Sequence, residues 1–149
     1  MTTLTAGMAA PAWSTVDQHG AQHSLAEYRG KWLLLYFYPK DDTPGCTIQA
    51  CGIRDAFADF QGVLEVLGVS KDSSESHKKF TQKYQLPFPL LVDTEATLIS
   101  AYEATSEGFG KRVSFLIDPQ GIIRNIYTGF DCTVHAGMVL KDVRAMRAD

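Results

Sequence analysis

Two kinds of hydrophobic pattern alternate along this chain. Trp32 to Tyr38 is a continuous apolar and aromatic run, the pattern of a strand buried on both faces, and Pro39 ends it. Val63 to Ser70 predicts a second buried strand. Leu90 to Val92 predicts a short third, entered through Pro87 and Pro89. Between the first two, Ile53, Phe57 and Phe60 recur at i, i+4 and i+7, so Thr47 to Phe60 predicts a helix with one apolar face. Asp72 with Glu75 three residues on has the form of a capping box for a helix that runs to about Tyr84 and buries Phe80 and Tyr84. Thr97 to Tyr102 predicts a short helix. Val113 to Ile117 and Ile122 to Thr128 predict strands around the turn Asp118-Pro119-Gln120-Gly121. His135 to Arg147 predicts a closing helix, with Thr133 as its cap. Near the start, Trp13 to Val16 and Gln22 to Leu25 flank Asp17-Gln18-His19-Gly20, a hairpin turn, and Leu25 to Tyr28 predicts a short helix stopped by Gly30.

A hairpin, then β-α-β-α-β, then a second hairpin and a last helix predict an α/β sandwich with a mixed central sheet and an N-terminal β-hairpin extension. A length of 149 residues suits one domain, 1–149, large enough to bury a core without disulfide staples. Hydrophobic content of 45% and charged content of 21% are those of an ordinary globular chain. A formal net charge of -3, with no Lys/Arg-rich run, argues against nucleic acid as a partner. Met1 to Pro11 lacks the basic start and apolar core of a secretory signal, and no apolar run is long enough to span a membrane. The expected address is the cytoplasm. Three cysteines there are not expected to be a structural framework, and an odd count leaves one thiol over after any single bridge.

The informative stretch runs from Tyr36 to Cys51, off the C-terminal end of a central strand and into a helix. Sites in open α/β sheets favour that edge. Thr43-Pro44-Gly45 is a tight connection, and Cys46 follows in or near the first helical turn. Unpaired N–H groups and the positive end of the helix dipole favour a thiolate there, the nucleophilic form. Asp41 and Asp42 oppose this unless they point to solvent, as we expect; Lys40 and a distant Arg can offset them. Cys51 lies five residues after Cys46. On one ideal helix their Cα atoms stand about 8–9 Å apart, beyond the roughly 7 Å that a disulfide spans, so a bridge requires the first turns to unwind. Gly52 weakens the helix there by about 1 kcal/mol relative to Ala. Two other readings stay open at this level. Either cysteine can be a small buried hydrophobe, and Cys46, Cys51, Cys132, His135 and His77 supply soft metal ligands, though the spacing misses the usual zinc pattern.

Pro39-x-x-x-Thr43-x-x-Cys46 matches the peroxiredoxin active-site pattern, and the string from Tyr38 through Cys51 to Arg54-Asp55 resembles the bacterioferritin comigratory protein, or peroxiredoxin Q, branch. Arg112 to Asp118 resembles the family strand that carries the active-site arginine. The resemblance spans nearly the whole chain. It implies a thioredoxin-like fold. It implies a thiol-dependent peroxidase in which Cys46 attacks hydrogen peroxide or an organic hydroperoxide and becomes a sulfenic acid, Cys51 resolves it as an intramolecular disulfide, and thioredoxin or a similar dithiol protein reduces that bridge. It implies no metal or organic cofactor, and a monomer.

The residue types fit those roles. Arg112 is a permanent forked cation that can hold both thiolate and peroxide. Thr43 can donate to one and accept from the other. Pro39 shapes and shields the loop. Gly45 can add a backbone donor, Gln49 can orient Arg112, and Phe109 can line the substrate mouth. Tyr36, Phe37 and Tyr38 are expected as core and pocket wall. Lys111, His19, His23 and His77 are expected at the surface, and Cys132 as a spare thiol unless it bridges to a second chain. The competing functions are a general thiol-disulfide oxidoreductase, against which the four residues between Cys46 and Cys51 speak, and a metal-binding or redox-sensing protein.

Overall fold

The computed structural model describes residues 4–106, 109, 110 and 112–147, with the backbone alone at 106, 109 and 110. Its centre is a five-stranded mixed sheet. Strands β3 (Leu33–Phe37), β4 (Glu65–Ser70) and β5 (Leu90–Val92) are parallel, β8 (Val113–Ile117) runs antiparallel to β3, and β9 (Ile123–Tyr127) antiparallel to β8, giving the order β5-β4-β3-β8-β9. The helices are α1 (Pro44–Phe60), α2 (Ser74–Tyr84), α3 (Thr97–Ala101) and α4 (His135–Arg147). The predicted N-terminal hairpin is β1 (Ser14–Val16) against β2 (Gln22–Ser24), followed by a 3-10 turn over Leu25–Tyr28. A second hairpin, β6 (Thr105–Ser106) with β7 (Phe109–Gly110), has no counterpart in the hydrophobic pattern because two-residue strands are too short to show a period.

All five residues of β3 are buried, as the unbroken apolar run requires of a central strand covered on both faces. One face packs Leu34 and Tyr36 with Tyr38 against Cys46, Ala50, Ile53 and Phe60 of α1 and Val139 and Val143 of α4. The other packs Leu33, Leu35 and Phe37 against Leu98 and Ile99 of α3 and Trp13. The even-numbered residues of β3 therefore share a face with the two long helices, and so do Ser114 and Leu116, which pair with Tyr36 and Leu34 across β8.

The starts of the three long helices differ from the expected ones. Helix α1 begins at Pro44, three residues early, because proline needs no N–H partner at the first helical position and its ring presets φ. Ser73, not Asp72, caps α2 by accepting from Ser76 N–H; the Asp72 carboxylate turns away to accept from Asp41 N–H and the Ser70 hydroxyl. Thr133 gives its N–H and its hydroxyl to Asp131 Oδ1, and α4 starts from the Val134 carbonyl instead. No helix among the described residues is long and apolar enough to cross a membrane.

Gly68 on β4 leaves room for the Tyr36 ring: a Cβ there would lie 2.9 Å from Tyr36 Cζ and 2.9 Å from Leu90 Cδ2. Gly68→Ala is expected to overpack this face and lower stability by about 1–3 kcal/mol, read from urea unfolding midpoints.

Candidate active site

The turn between β3 and α1 carries the site. Asp42 sits in the left-handed region at φ 58, which an Asp tolerates better than most residues, and reverses the chain between Asp41 and Thr43. Its carboxylate accepts from Lys83 Nζ at 2.7 Å and Tyr84 Oη at 2.9 Å on α2, and the Lys83 bond is the main reason its acidity is enhanced. Thr43 is the residue before α1, but its hydroxyl does not cap the helix; it donates to the Lys40 carbonyl at 2.9 Å. Pro44 has no N–H and Thr47 N–H already reaches the Thr43 carbonyl, so the first turn offers the N–H groups of Gly45 and Cys46.

Cys46 is buried in this first turn, at 1% exposure, with a cation on its sulfur. Arg112 Nη2 donates to Cys46 Sγ at 3.2 Å, and Nη1 donates to Gln49 Oε1 at 2.6 Å. Gln49, one turn beyond Cys46, holds the fork from the same helix face. Gly45 makes the approach possible, since a Cβ there would stand 2.9 Å from Arg112 Nη2. The structure thus brings Cys46, Arg112, Gln49 and Gly45 together, with Thr43 and Pro39 in the adjoining loop. Of Phe109 the backbone lies in β7 and the side chain is outside the described residues; Lys111 is outside them altogether.

Behind the sulfur, Tyr36 Oη is fully buried without a hydrogen-bond partner among the described residues. Burial first, and then the charge at Cys46, hold this phenol well above its ordinary range, so it keeps its proton. Toward α4, His135 stacks on Phe130 at 4.2 Å, shares a 3.0 Å hydrogen bond with the Ser114 hydroxyl, and leaves Nδ1 without a partner among the described residues. Burial, reinforced by Arg112, lowers its pKa from 6.5 to about 4, so the imidazole beside the guanidinium is neutral.

Cys51 lies farther along α1, half-buried, and Cys132 is half-buried with its carbonyl 3.7 Å from where a Gly52 Cβ would stand. All three thiols are free, and α1 is continuous through Cys46 and Cys51. Among the described residues, no cysteine belongs to a cluster of three or more His, Cys, Asp or Glu side chains whose polar atoms all converge within 4.8 Å; the one such cluster is Asp41, Asp72 and His77, whose atoms are engaged in hydrogen bonds. The soft-ligand set of cysteines with His77 and His135 is therefore not assembled.

Two expectations fail here. Asp41 does not point to solvent: it is 7% exposed, and its carboxylate accepts from Tyr38 Oη at 2.6 Å, Ser76 Oγ at 2.8 Å and His77 Nδ1 at 2.7 Å. His77 is not at the surface but completely buried. Its position predicts this in retrospect, because His77, Phe80 and Tyr84 fall at i, i+3 and i+7 on the inner face of α2. His23 is half-buried, between Asp17 and Tyr28, and His19 is exposed as expected. A cavity of about 420 Å³ between Lys31, Trp32, Val63 and Arg147 lies at the opposite end of the sheet from Cys46.

The model of the AhpC/TSA family matches residues 6–126. Peroxiredoxin Bcp of Bacillus subtilis is 39% identical over 155 residues, covering 97% of this chain and 98% of its own. A crystal structure of Xylella fastidiosa PrxQ superimposes with a TM-score of 0.92 at 30% identity over 99% of both chains. The bacterioferritin comigratory protein of Xanthomonas campestris, a structure concerned with alkyl peroxide reduction, superimposes with a TM-score of 0.88 at 31% identity, covering 95% of this chain and 99% of that one. With the five-stranded mixed sheet, these likenesses make the fold a thioredoxin-like sandwich.

Replacing Arg112 by Met is expected to slow alkylation of Cys46 by iodoacetamide at neutral pH roughly 10- to 100-fold, the worth of one hydrogen bond to a charged group. His135 generates a pH effect of known sign. The unfolded chain takes up a proton at His135 below about pH 6.5 and the folded chain only below about pH 4. Stability is therefore lost as pH falls through that window, by about 3 kcal/mol in total, and is unaffected by this group above it. His135→Asn should flatten this part of the urea-midpoint profile between pH 7 and pH 4.

Proposed function

The chain belongs to the AhpC/TSA family, in its peroxiredoxin Q and Bcp branch, and from that premise we propose that Cys46 is the thiol its peroxidase reaction oxidises. The activity is thiol-dependent reduction of peroxides, with a thioredoxin-type dithiol as electron donor. The observation that carries the assignment of Cys46 is the Arg112 guanidinium 3.2 Å from its buried sulfur, in the first turn of a helix whose Gly45 and Cys46 N–H groups have no partner among the described residues.

The residues divide the work as follows. The Cys46 thiolate attacks one peroxide oxygen; the O–O bond breaks, the other oxygen leaves as water or an alcohol after taking a proton, and sulfur is left as a sulfenic acid. Negative charge moves from sulfur toward the leaving oxygen. Arg112, with donors on both ends of its fork, and the N–H groups of Gly45 and Cys46 lie where that charge passes. Gln49 fixes the fork, and Gly45 gives it space. Rotation of Thr43 about χ1 turns its hydroxyl from the Lys40 carbonyl to the incoming peroxide, while Pro39 limits water.

Cys51 then attacks the sulfenic sulfur, releasing water and closing a disulfide. Because α1 is unbroken between the two thiols, this step requires its first turns to come apart. A dithiol reductant returns both sulfurs to thiols by exchange. We place this cycle in a single domain and in the cytoplasm, where such reductants keep thiols reduced. We also take the protein to act as a monomer: Ile48 and Val134 are the only large hydrophobic side chains exposed among the described residues, too little for an obligate interface.

Cys46→Ser should abolish peroxide consumption, and full retained activity would refute the assignment. Cys51→Ser should complete one turnover and then stop, with Cys46 advancing to the sulfinic acid under excess peroxide. Peptide mass spectrometry after one equivalent of peroxide should find Cys46 bonded to Cys51 within one chain, and Cys132 free.

A further inference from the structure

The Asp41–His77 pair lies outside the reacting set, yet Asp41 sits inside the loop that presents Pro39 and Thr43, five residues from Cys46. Its hydrogen bonds count protons. His77 Nε2 is 2.9 Å from the Leu91 carbonyl, which can only accept, so Nε2 carries a proton. His77 Nδ1 is 2.7 Å from Asp41 Oδ2, and neither a bare imidazole nitrogen nor a carboxylate oxygen has a proton of its own to give, so one must lie between them. Whichever atom holds it, imidazole plus carboxyl sum to zero charge. Tyr38 and Ser76 donate to the same carboxyl with hydroxyl protons and leave that sum unchanged.

The sum matters because the Tyr38 hydroxyl that donates to Asp41 belongs to a ring 5.5 Å from that of Tyr36, and both rings share one buried cluster with Cys46. A second buried negative charge in this space disfavours a thiolate. We propose that His77 is a positioning residue for the peroxidase reaction: its proton neutralises buried Asp41 and so keeps an acidic loop from opposing the Cys46 thiolate, while the same bond ties that loop to α2 and β5. The other charged groups around the pair are Asp72 after β4 and, farther out, Asp42, Glu75, Lys79 and Lys83; Arg112, just before β8, meets the Cys46 sulfur, with Tyr36 in the same buried cluster and His135 beyond Arg112.

The inference rests on Cys46 being the reactive thiol, which Cys46→Ser decides separately through peroxide consumption. The test here needs no peroxide. The rate of iodoacetamide labelling at Cys46, followed by peptide mass spectrometry, is measured against pH in wild type, His77→Asn and His77→Asn with Asp41→Asn. Asparagine keeps a donor to Asp41 but brings no positive charge, so Asp41 remains a carboxylate. The labelling midpoint should rise by about one pH unit in the single variant and return to the wild-type value in the double. An unmoved midpoint in the single variant, or an equal rise in both, overturns the proposal. If the variants fail to fold, nitrogen-15 NMR of wild-type histidines decides it. Two protonated or strongly hydrogen-bonded ring nitrogens on His77, with a far-downfield proton, support it; a bare Nδ1 overturns it.

Discussion

A guanidinium resting on a buried sulfur needs two secondary elements held to within a few tenths of an ångström. Arg112 stands one residue before β8, and β8 is fixed by its register on β3, Val113 opposite Phe37 and Ser114 opposite Tyr36. Cys46 stands in α1, which packs on the same face of β3 through Ala50, Ile53 and Phe60. The strand Leu33–Phe37 is thus the common reference for both groups. A slip of one residue in the β3–β8 pairing would carry the side chain at 112 to the opposite face of the sheet. The apolar run that makes β3 a central strand is therefore also what places the cation on the thiol.

The surroundings of that contact are less settled energetically than the core behind it. Tyr36 Oη, Gln49 Nε2 and His135 Nδ1 are all buried without partners among the described residues, in a region where most proteins satisfy every polar atom. Each such group costs about 1–3 kcal/mol relative to one that is paired. Stability is supplied elsewhere, by two apolar layers on either side of the sheet.

Much of this was legible in the chain. The strand–turn–helix from Trp32 to Phe60 announces itself by its apolar run, by Pro39 and by Thr43-Pro44-Gly45, and the string around Cys46 is specific enough to name a family. What was not legible depends on partners far away in the chain. Asp41 reads as a solvated acid until His77, 36 residues on, is folded against it. His77 reads as a surface histidine unless its helical spacing with Phe80 and Tyr84 is given more weight than its polarity. The Thr43 hydroxyl faces Lys40 because the loop is tight, a matter of torsion that no pattern of residue types records. The hairpin of β6 and β7 is too short to leave a periodic trace.

The unbroken α1 has a consequence for how much oxidant the protein can survive. In the proposed cycle a sulfenic sulfur in a closed helix waits, and while it waits a second peroxide competes with Cys51 for it. The opening rate of the first turns, divided by the rate of that second attack per unit of peroxide, is a concentration. Below it the cycle turns over; above it molecules are lost one by one to irreversible oxidation. Gly52, one residue beyond Cys51, lowers the stability of the helix that sets this threshold. The helix works as a fuse whose rating is written in its own stability.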